Sequence, residues 1–321
     1  MEGTRFGQYE LLELLGRGGM GEVYRARDTK TDRIIALKVL PIQMARDEVF
    51  KERFRREAQA ASGVNDPHVV PIHGYGEIDG RLYLDMRLIE GENLGNLLAQ
   101  RDTPLGPRLG AVVVEQVASA LDSAHANGLV HRDVKPTNIL ISDREFVYLI
   151  DFGLARAAGE AGLTTAGSTL GTLAYMAPER FNSGQSDTRS DIYALTCVFY
   201  ECLTGKHPYP SDSLEQQIAG HLMSTPPRPS DDDPSLAAFD AIIAKGMAKD
   251  PDDRYQTGRD LAVAVRAAVD EPRVRASRGR GRHSAGEPLP RSRSRRTAVL
   301  AALAVVLLTA GGLGVWQVLA R

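Results

Sequence analysis

The pattern of apolar residues changes once along this chain, and that change limits what it can fold into. Up to about residue 90 short strand-like runs dominate, at Tyr9–Leu15, Glu22–Ala26, Ile34–Leu40, Val69–Tyr75 and Leu82–Ile89, with one helical stretch at Asp47–Ser62. Beyond Asn93 the segments are long and helical, at Arg108–Ala126, Ser190–Thr204, Leu236–Met247 and Thr257–Val269, with short strand-like pieces around Ile139 and at Val147–Ile150. The spacing therefore predicts an α+β fold of two lobes. A β-rich lobe at about 9–89 and an α-rich lobe at about 93–269 join near Glu90–Asn93.

Charge is distributed unevenly over the 321 residues. The last fifty, 272–321, hold ten arginines and one acid, a balance of +9, which leaves 29 basic against 40 acidic groups, or −11, for the rest. An acidic body followed by a basic connector argues against nucleic acid as the partner of the main domain. Residues 272–296 lack apolar periodicity and are rich in Arg, Ser, Gly and Pro, the composition of a disordered linker. The uncharged run Ala298–Ala320 follows; as a helix it reaches about 34 Å, enough to span a bilayer core. Arg291, Arg293, Arg295 and Arg296 precede it and only Arg321 follows, which predicts a single-pass transmembrane helix with the main domain cytoplasmic. The nine linker arginines would also attract anionic lipids. The charged and polar start, Met1 to Tyr9, is not that of a signal peptide. Cys197 and Cys202, five apart in one apolar segment, would point about 140° apart on a helix, so neither a disulfide nor a metal site is expected from them.

Gly16-Arg17-Gly18-Gly19-Met20-Gly21 is a GxGxxG string, which alone also fits a dinucleotide-binding βαβ unit. Its context differs. The strand-like Glu22–Ala26 follows, then the turn Asp28–Asp32 and a third strand, so the glycines sit in a strand–turn–strand where bare backbone amides can lie over phosphates. Lys38 stands in that third strand among Ile, Ala, Leu and Val, a setting in which a lysine usually faces solvent. The 47–62 helix changes that reading. Phe50, Phe54 and Ala61 share a face, and Glu57 falls on it at i+7, i+3 and i−4 respectively. A carboxylate on an inward stripe requires a cation, and Lys38 is the candidate.

His131-Arg132-Asp133-Val134-Lys135-Pro136-Thr137-Asn138 supplies a carboxylate, a cation and an amide just before a strand, and Asp151-Phe152-Gly153 places a second carboxylate at a strand end. Asn138 and Asp151 offer hard oxygen ligands suited to Mg²⁺. Taken in this order, the chain from 9 to 269 resembles the bacterial eukaryotic-like Ser/Thr protein kinases, in particular the membrane-anchored, receptor-like kinases of actinobacteria.

That resemblance implies a bilobal protein-kinase fold and an ATP:protein phosphotransferase using Mg²⁺ or Mn²⁺. By it, the Gly16–Gly21 loop covers the ATP phosphates and Lys38 binds the α- and β-phosphates, held by Glu57. Asp133 orients the substrate hydroxyl and accepts its proton, Lys135 neutralises the transferring phosphoryl, and Asn138 and Asp151 hold the metal. Val23, Ala36 and Leu140 would sandwich adenine, with Met86 as gatekeeper and Arg87–Ile89, including Ile89 itself, as hinge. Glu179 of Ala177-Pro178-Glu179 would pair with Arg254, and Asp191 would brace the loop around Asp133. Thr172 would line the substrate site and contact that aspartate. A homodimer through the β-rich lobe is also a feature of the group.

Four hydroxyls in six positions, Thr164, Thr165, Ser168 and Thr169, point to autophosphorylation, with Thr164 and Thr165 preferred and Arg132 placed to receive the phosphate. Two rival classes remain. A binding module of the pseudokinase type would be expected to lose one of the ionic positions, and none is lost; a small-molecule phosphotransferase would not need Lys135, Gly171–Glu179 and the hydroxyl-rich loop.

Overall fold

The computed structural model describes residues 4–19, 21–152, 173–182, 184, 186–211 and 213–271. Met20, the hydroxyl-bearing stretch with Thr164, Thr165 and Thr172, the 272–296 linker and the 298–320 apolar run lie outside these residues. Among the described residues no helix is long and apolar enough to cross a membrane.

The first lobe is an antiparallel sheet of six strands, β1 (Arg5–Phe6), β2 (Tyr9–Gly18), β3 (Gly21–Asp28), β4 (Arg33–Val39), β5 (Ile72–Ile78) and β6 (Arg81–Arg87), in the order β1-β2-β3-β4-β6-β5. Tight turns set its register. Asp79 and Gly80 both take positive φ between β5 and β6, the geometry an Asp-Gly hairpin supplies cheaply. Tyr9, Leu11, Tyr24, Ala26, Ile35, Leu37 and Val39 alternate onto one face and form the sheet's own core.

Helix α1 (Glu48–Ser62) starts where Asp47 accepts hydrogen bonds from the Val49 and Phe50 amides. It buries Phe50, Phe54, Glu57, Ala58 and Ala61. Its apolar stripe belongs to a different core from that of β1–β4, one it shares with Leu149, Phe152 and the helical lobe. That allegiance draws α1 toward the lobe junction.

The expected strand at Val69–Tyr75 begins later. Pro71 has no amide proton to give a ladder, so β5 starts at Ile72, and Val69 instead bridges Leu149 in parallel while Val70 N donates to Leu149 O at 3.3 Å. A second sheet, β7 (Glu92–Asn93), β8 (Ile139–Ser142) and β9 (Phe146–Leu149), roofs the helical lobe.

The helical lobe contains α2 (Leu94–Ala99), α3 (Pro107–Ala126), α4 (Pro178–Asn182), α5 (Thr188–Thr204), α6 (Leu214–Met223), α7 (Pro229–Asp232), α8 (Asp240–Gly246) and α9 (Gly258–Asp270). Helix α5 is its axis, buried along nearly its whole length, with Cys197 and Cys202 both buried and free. The helix expected over Leu236–Met247 is divided. Residues Pro234–Phe239 form a 3₁₀ turn capped by Asp233, and α8 starts anew at Asp240, whose carboxylate accepts from Ser230 N at 3.0 Å and Ser230 Oγ at 2.6 Å. Short or low-contrast elements, β1, α2 and α6 among them, gave no periodic signal to read.

Beneath α5 lies a buried polar knot. His221 Nδ1 meets the Tyr193 hydroxyl at 2.8 Å, and Lys249 Nζ donates to His221 O at 2.7 Å. Burial, helped by the Lys249 ammonium, pushes the His221 pKa down to about 3. The unfolded chain takes up this proton near pH 6.5 and the folded one does not, so the contribution is complete above that pH and is lost on acidification. Between about pH 6 and 4 it falls by about 1.4 kcal/mol per pH unit. Urea unfolding at successive pH values is expected to show a shallower acid dependence in His221→Gln than in the parent chain; parallel profiles would refute this.

Candidate active site

The glycine hairpin forms one edge of the site. Gly18 pairs with Gly21 across β2 and β3 and closes the hairpin. Gly21 is required by packing: its φ is +118°, and a Cβ there would lie 2.2 Å from Val39 O. Gly16, Gly18 and Gly19 are not, because a Cβ at any of them meets nothing within 4 Å. What their bareness leaves open is approach by a ligand.

Lys38 on β4 is 7% exposed, and its Nζ lies 2.7 Å from Asp151 Oδ1, just beyond β9. The pair expected between Lys38 and Glu57 is not formed. Glu57 Oε1 instead takes Arg132 Nη1 at 3.2 Å. The cause is the docking of α1 on the core of the lobe junction, which carries Glu57 to the 131–138 loop. Glu57 Oε2 and Arg132 Nε are buried without a hydrogen-bond partner among the described residues. Burial raises the Glu57 carboxyl, and Arg132 offsets only part of this. At Asp151 the balance is reversed: burial acts upward, but the Lys38 ammonium outweighs it and the net direction is down.

The 131–138 loop is held from below by α5. Asp191 is 1% exposed; one carboxylate oxygen accepts from His131 N and the other from Arg132 N, both at 2.8 Å, with His125 Nε2 also at 2.8 Å. This clamp offsets a strained backbone, since Arg132 has φ of 64°. His131 is fully buried; its Nε2 faces Ile150 O at 2.9 Å and its Nδ1 faces Asp133 N at 3.2 Å, contacts a neutral ring protonated at Nε2 satisfies together. Burial lowers its pKa in keeping with that form.

Asp133, 8% exposed, has Lys135 Nζ 2.9 Å from its Oδ2 and receives Asn138 Nδ2 on the same oxygen at 3.1 Å. Asn138 also donates to Asp133 O at 2.8 Å, and Ile150 N donates to Asn138 O at 3.0 Å. Asp151 therefore stands beside Asn138, and the two motifs meet at one place. Its own φ is 60°.

Ala36 and Met86 are cross-strand partners in β4 and β6, Val23 sits opposite Lys38 on β3, and Leu140 lies on β8. After Arg87 the chain leaves the ladder, and residues 88–91, Ile89 among them, run without strand pairing to β7. Further down, Glu179 and Arg254 meet in a two-pronged pair, Nη1–Oε1 at 2.9 Å and Nη2–Oε2 at 2.8 Å, with Ser190 Oγ on Glu179 at 2.6 Å. Two contributors were missed in the sequence: His125 beneath Asp191, and Arg180, whose Nη1 donates to Arg132 O at 2.5 Å. His125 was findable, since it lies four residues after Leu121 and seven after Ala118 on the inward stripe of α3, the same signal that marks Glu57. Arg180 sits on a five-residue helix that offers no such stripe.

Residues 9–262 match the protein kinase domain. The chain belongs to this family. It is 54% identical over 269 residues to the serine/threonine-protein kinase PknE of Mycobacterium tuberculosis and 52% identical to PknD of the same organism. Those matches cover 84% and 83% of this chain but 47% and 40% of the relatives, so the chain spans about half their length or less. The crystal structure of the M. tuberculosis PknI kinase domain superimposes with a TM-score of 0.68 at 32% identity, covering 84% of this chain and 98% of that one. The kinase fold, with its β-rich and helical lobes, is thus established for the described residues.

Proposed function

We propose that the chain is a serine/threonine protein kinase that transfers the γ-phosphoryl of ATP to protein hydroxyls, its own Thr164 and Thr165 included, while anchored to the inner face of the membrane by residues 298–320. The observation that carries the reading is the meeting of Lys38 with Asp151 at 2.7 Å beside the Asp133–Lys135–Asn138 group. Two cations and two carboxylates close together under a bare glycine hairpin suit a polyanionic nucleotide better than an apolar ligand.

The residues fit a divalent cation. Asn138 spends its amide nitrogen on Asp133, which leaves its oxygen as the group to face a metal, and Asp151 Oδ1 is engaged by Lys38, which leaves Oδ2. Two protein oxygens completed by phosphate and water match what Mg²⁺ or Mn²⁺ takes, and no larger ligand cluster exists among the described residues. When bound, the metal neutralises phosphate charge. Lys38 would neutralise the α- and β-phosphates, and Val23, Ala36, Leu140, Met86 and the 87–89 backbone would hold adenine.

Asp133 has the setting of a positioned base. Lys135 and Asn138 fix its Oδ2, which holds the carboxylate in place to receive a Ser or Thr hydroxyl. As the hydroxyl oxygen bonds to γ-phosphorus, the bond from that phosphorus to the β–γ bridging oxygen breaks, ADP leaves with the electron pair, and the proton passes to Asp133. Lys135, on the same carboxylate, neutralises charge on the transferring group.

Incubating the full chain with γ-labelled ATP, Mg²⁺ and a mixed protein substrate is expected to label Ser and Thr, with autophosphorylation at Thr164 or Thr165 in the membrane fraction. Lys38→Met is expected to lower labelling about 100-fold or more, the usual cost of removing one preorganised charge from a transition state. Parent-level labelling in that variant, or transfer only to small alcohols, would defeat the assignment.

A further inference from the structure

The peptide bond that carries Asp133 is gripped at both ends by side chains. Arg180 Nη1 donates to its carbonyl, Arg132 O, at 2.5 Å, and its amide, Asp133 N, faces His131 Nδ1 at 3.2 Å. Just before it, Asp191 takes the amides of His131 and Arg132. Arg132 itself has φ of 64°, a conformation that residues with a Cβ seldom adopt. A backbone kept there by its surroundings relaxes when one hold is released, and the rotation turns the plane of the peptide that follows. Turning that plane re-aims the Asp133 carboxylate.

The hold from Arg180 differs from the others in origin. Asp191 and His131 belong to α5 and to the loop itself, whereas Arg180 belongs to α4, directly after Glu179, whose two oxygens are gripped by Arg254. The guanidinium of Arg180 is thus mounted on an anchored element and reaches the loop from outside. The space left among Arg132, Asp133, Arg180, Ser190 and Asp191 is only about 10 Å³. Removing the Arg180 donor therefore opens room for water to compete for the Arg132 carbonyl, and water does not fix the plane of a peptide as a tethered side chain does.

Resting on the kinase reading, we propose that Arg180 is a positioning residue for phosphoryl transfer. It fixes the peptide unit in front of Asp133 and so keeps that carboxylate aimed at the acceptor hydroxyl. It acts through Asp133 rather than on the reacting atoms. The alternative is a strut that only keeps α4 packed on the loop.

The test is a double-variant cycle on the full chain, with Mg-ATP and a Ser/Thr protein substrate, read in single turnover beside a fluorescent-nucleotide titration. Arg180→Met, which keeps an apolar stem and removes the donor, is expected to lower the transfer rate between about tenfold and a hundredfold, the cost of misplacing a reacting group by about 1 Å. Nucleotide affinity and stoichiometry are expected to stay within about twofold of the parent, because Lys38 and Asp151 are untouched. Placed in Asp133→Asn, the same change is expected to lower the rate less than about threefold, since a carboxylate that is gone cannot be misaimed. Arg180→Lys, whose ammonium can make the single contact to Arg132 O, is expected to recover most of the loss. Should Arg180→Met fail to fold, Arg180→Gln, with a shorter donor, carries the same cycle with a smaller loss.

Equal losses with and without the Asp133 carboxylate, or a lysine no better than methionine, would mark a strut and overturn the proposal. So would rates within about twofold of the parent in Arg180→Met and Arg180→Gln. If the parent chain transfers phosphoryl to no protein, the kinase reading falls and this inference with it. Transfer by the parent that is indifferent to Arg180 overturns the inference alone.

Discussion

Asp133→Asn is expected to lower kcat for phosphoryl transfer about a thousandfold while the chain remains folded and binds nucleotide with little change. The side chain keeps its size, and its remaining oxygen still accepts from Asn138 and Lys135, which hold Oδ2 in the parent at 3.1 and 2.9 Å. What is lost is a carboxylate able to orient the acceptor hydroxyl and take its proton, a contribution of about 10²–10⁴. Nucleotide affinity is a separate matter, because Lys38, Asp151 and the glycine hairpin are untouched. Single-turnover assays and a fluorescent nucleotide titration check both halves. A fall of less than about tenfold would mean that Asp133 is not the group that meets the hydroxyl.

Arg254→Ala is expected to cost about 3–5 kcal/mol of stability, a large part of a typical domain's 5–15. The guanidinium is 2% exposed and fully used. Nη1 and Nη2 hold the two Glu179 oxygens and donate to Arg189 O and Lys249 O, Nε donates to Ala248 O at 2.8 Å, and the plane lies over the Tyr193 ring at 4.9 Å. Burial alone would raise the Glu179 carboxyl, but hydrogen bonds from Arg254 and Ser190 bring it below the usual range, so at neutral pH the carboxylate is charged and depends on its partner. Truncation leaves that charge and three carbonyls inside the protein. Arg254→Lys would not rescue it, since one ammonium cannot reproduce a two-pronged fork. The double variant Glu179→Gln, Arg254→Met is expected to recover part of the loss, because removing both charges removes the stranded one. Urea unfolding measures all three, and a loss below about 1 kcal/mol in Arg254→Ala would contradict the account.

The division of the chain into a strand-rich and a helix-rich lobe was readable because each strand pattern is local and bounded by Gly, Asp or Pro. Helix α1 was read to within one residue, the difference being Asp47, which caps it from outside. The inward placement of Glu57 was legible for the same reason: period 3.6 fixes which face a residue occupies. Misplaced elements were those whose ends depend on a distant partner. The start of β5 yielded to a bridge between Val69 and Leu149, and the helix at 236–247 was divided at Asp240 by Ser230.

The site divides along the same line. The order and spacing of the glycines, Lys38, the 131–138 loop and Asp151 were sufficient, as sequence, to place the chain among the protein kinases and to name the groups that bear charge. The Glu179–Arg254 pair was named in advance from the resemblance, but around Lys38 and Glu57 which charge meets which was decided only by the fold. Lys38 and Asp151 are 113 positions apart, and Glu57 and Arg132 are 75 apart. Periodicity gives a side chain its direction, but an ion pair requires a separation within about 4 Å, and that depends on how far α1 is drawn over the lobe junction by the apolar core beneath it.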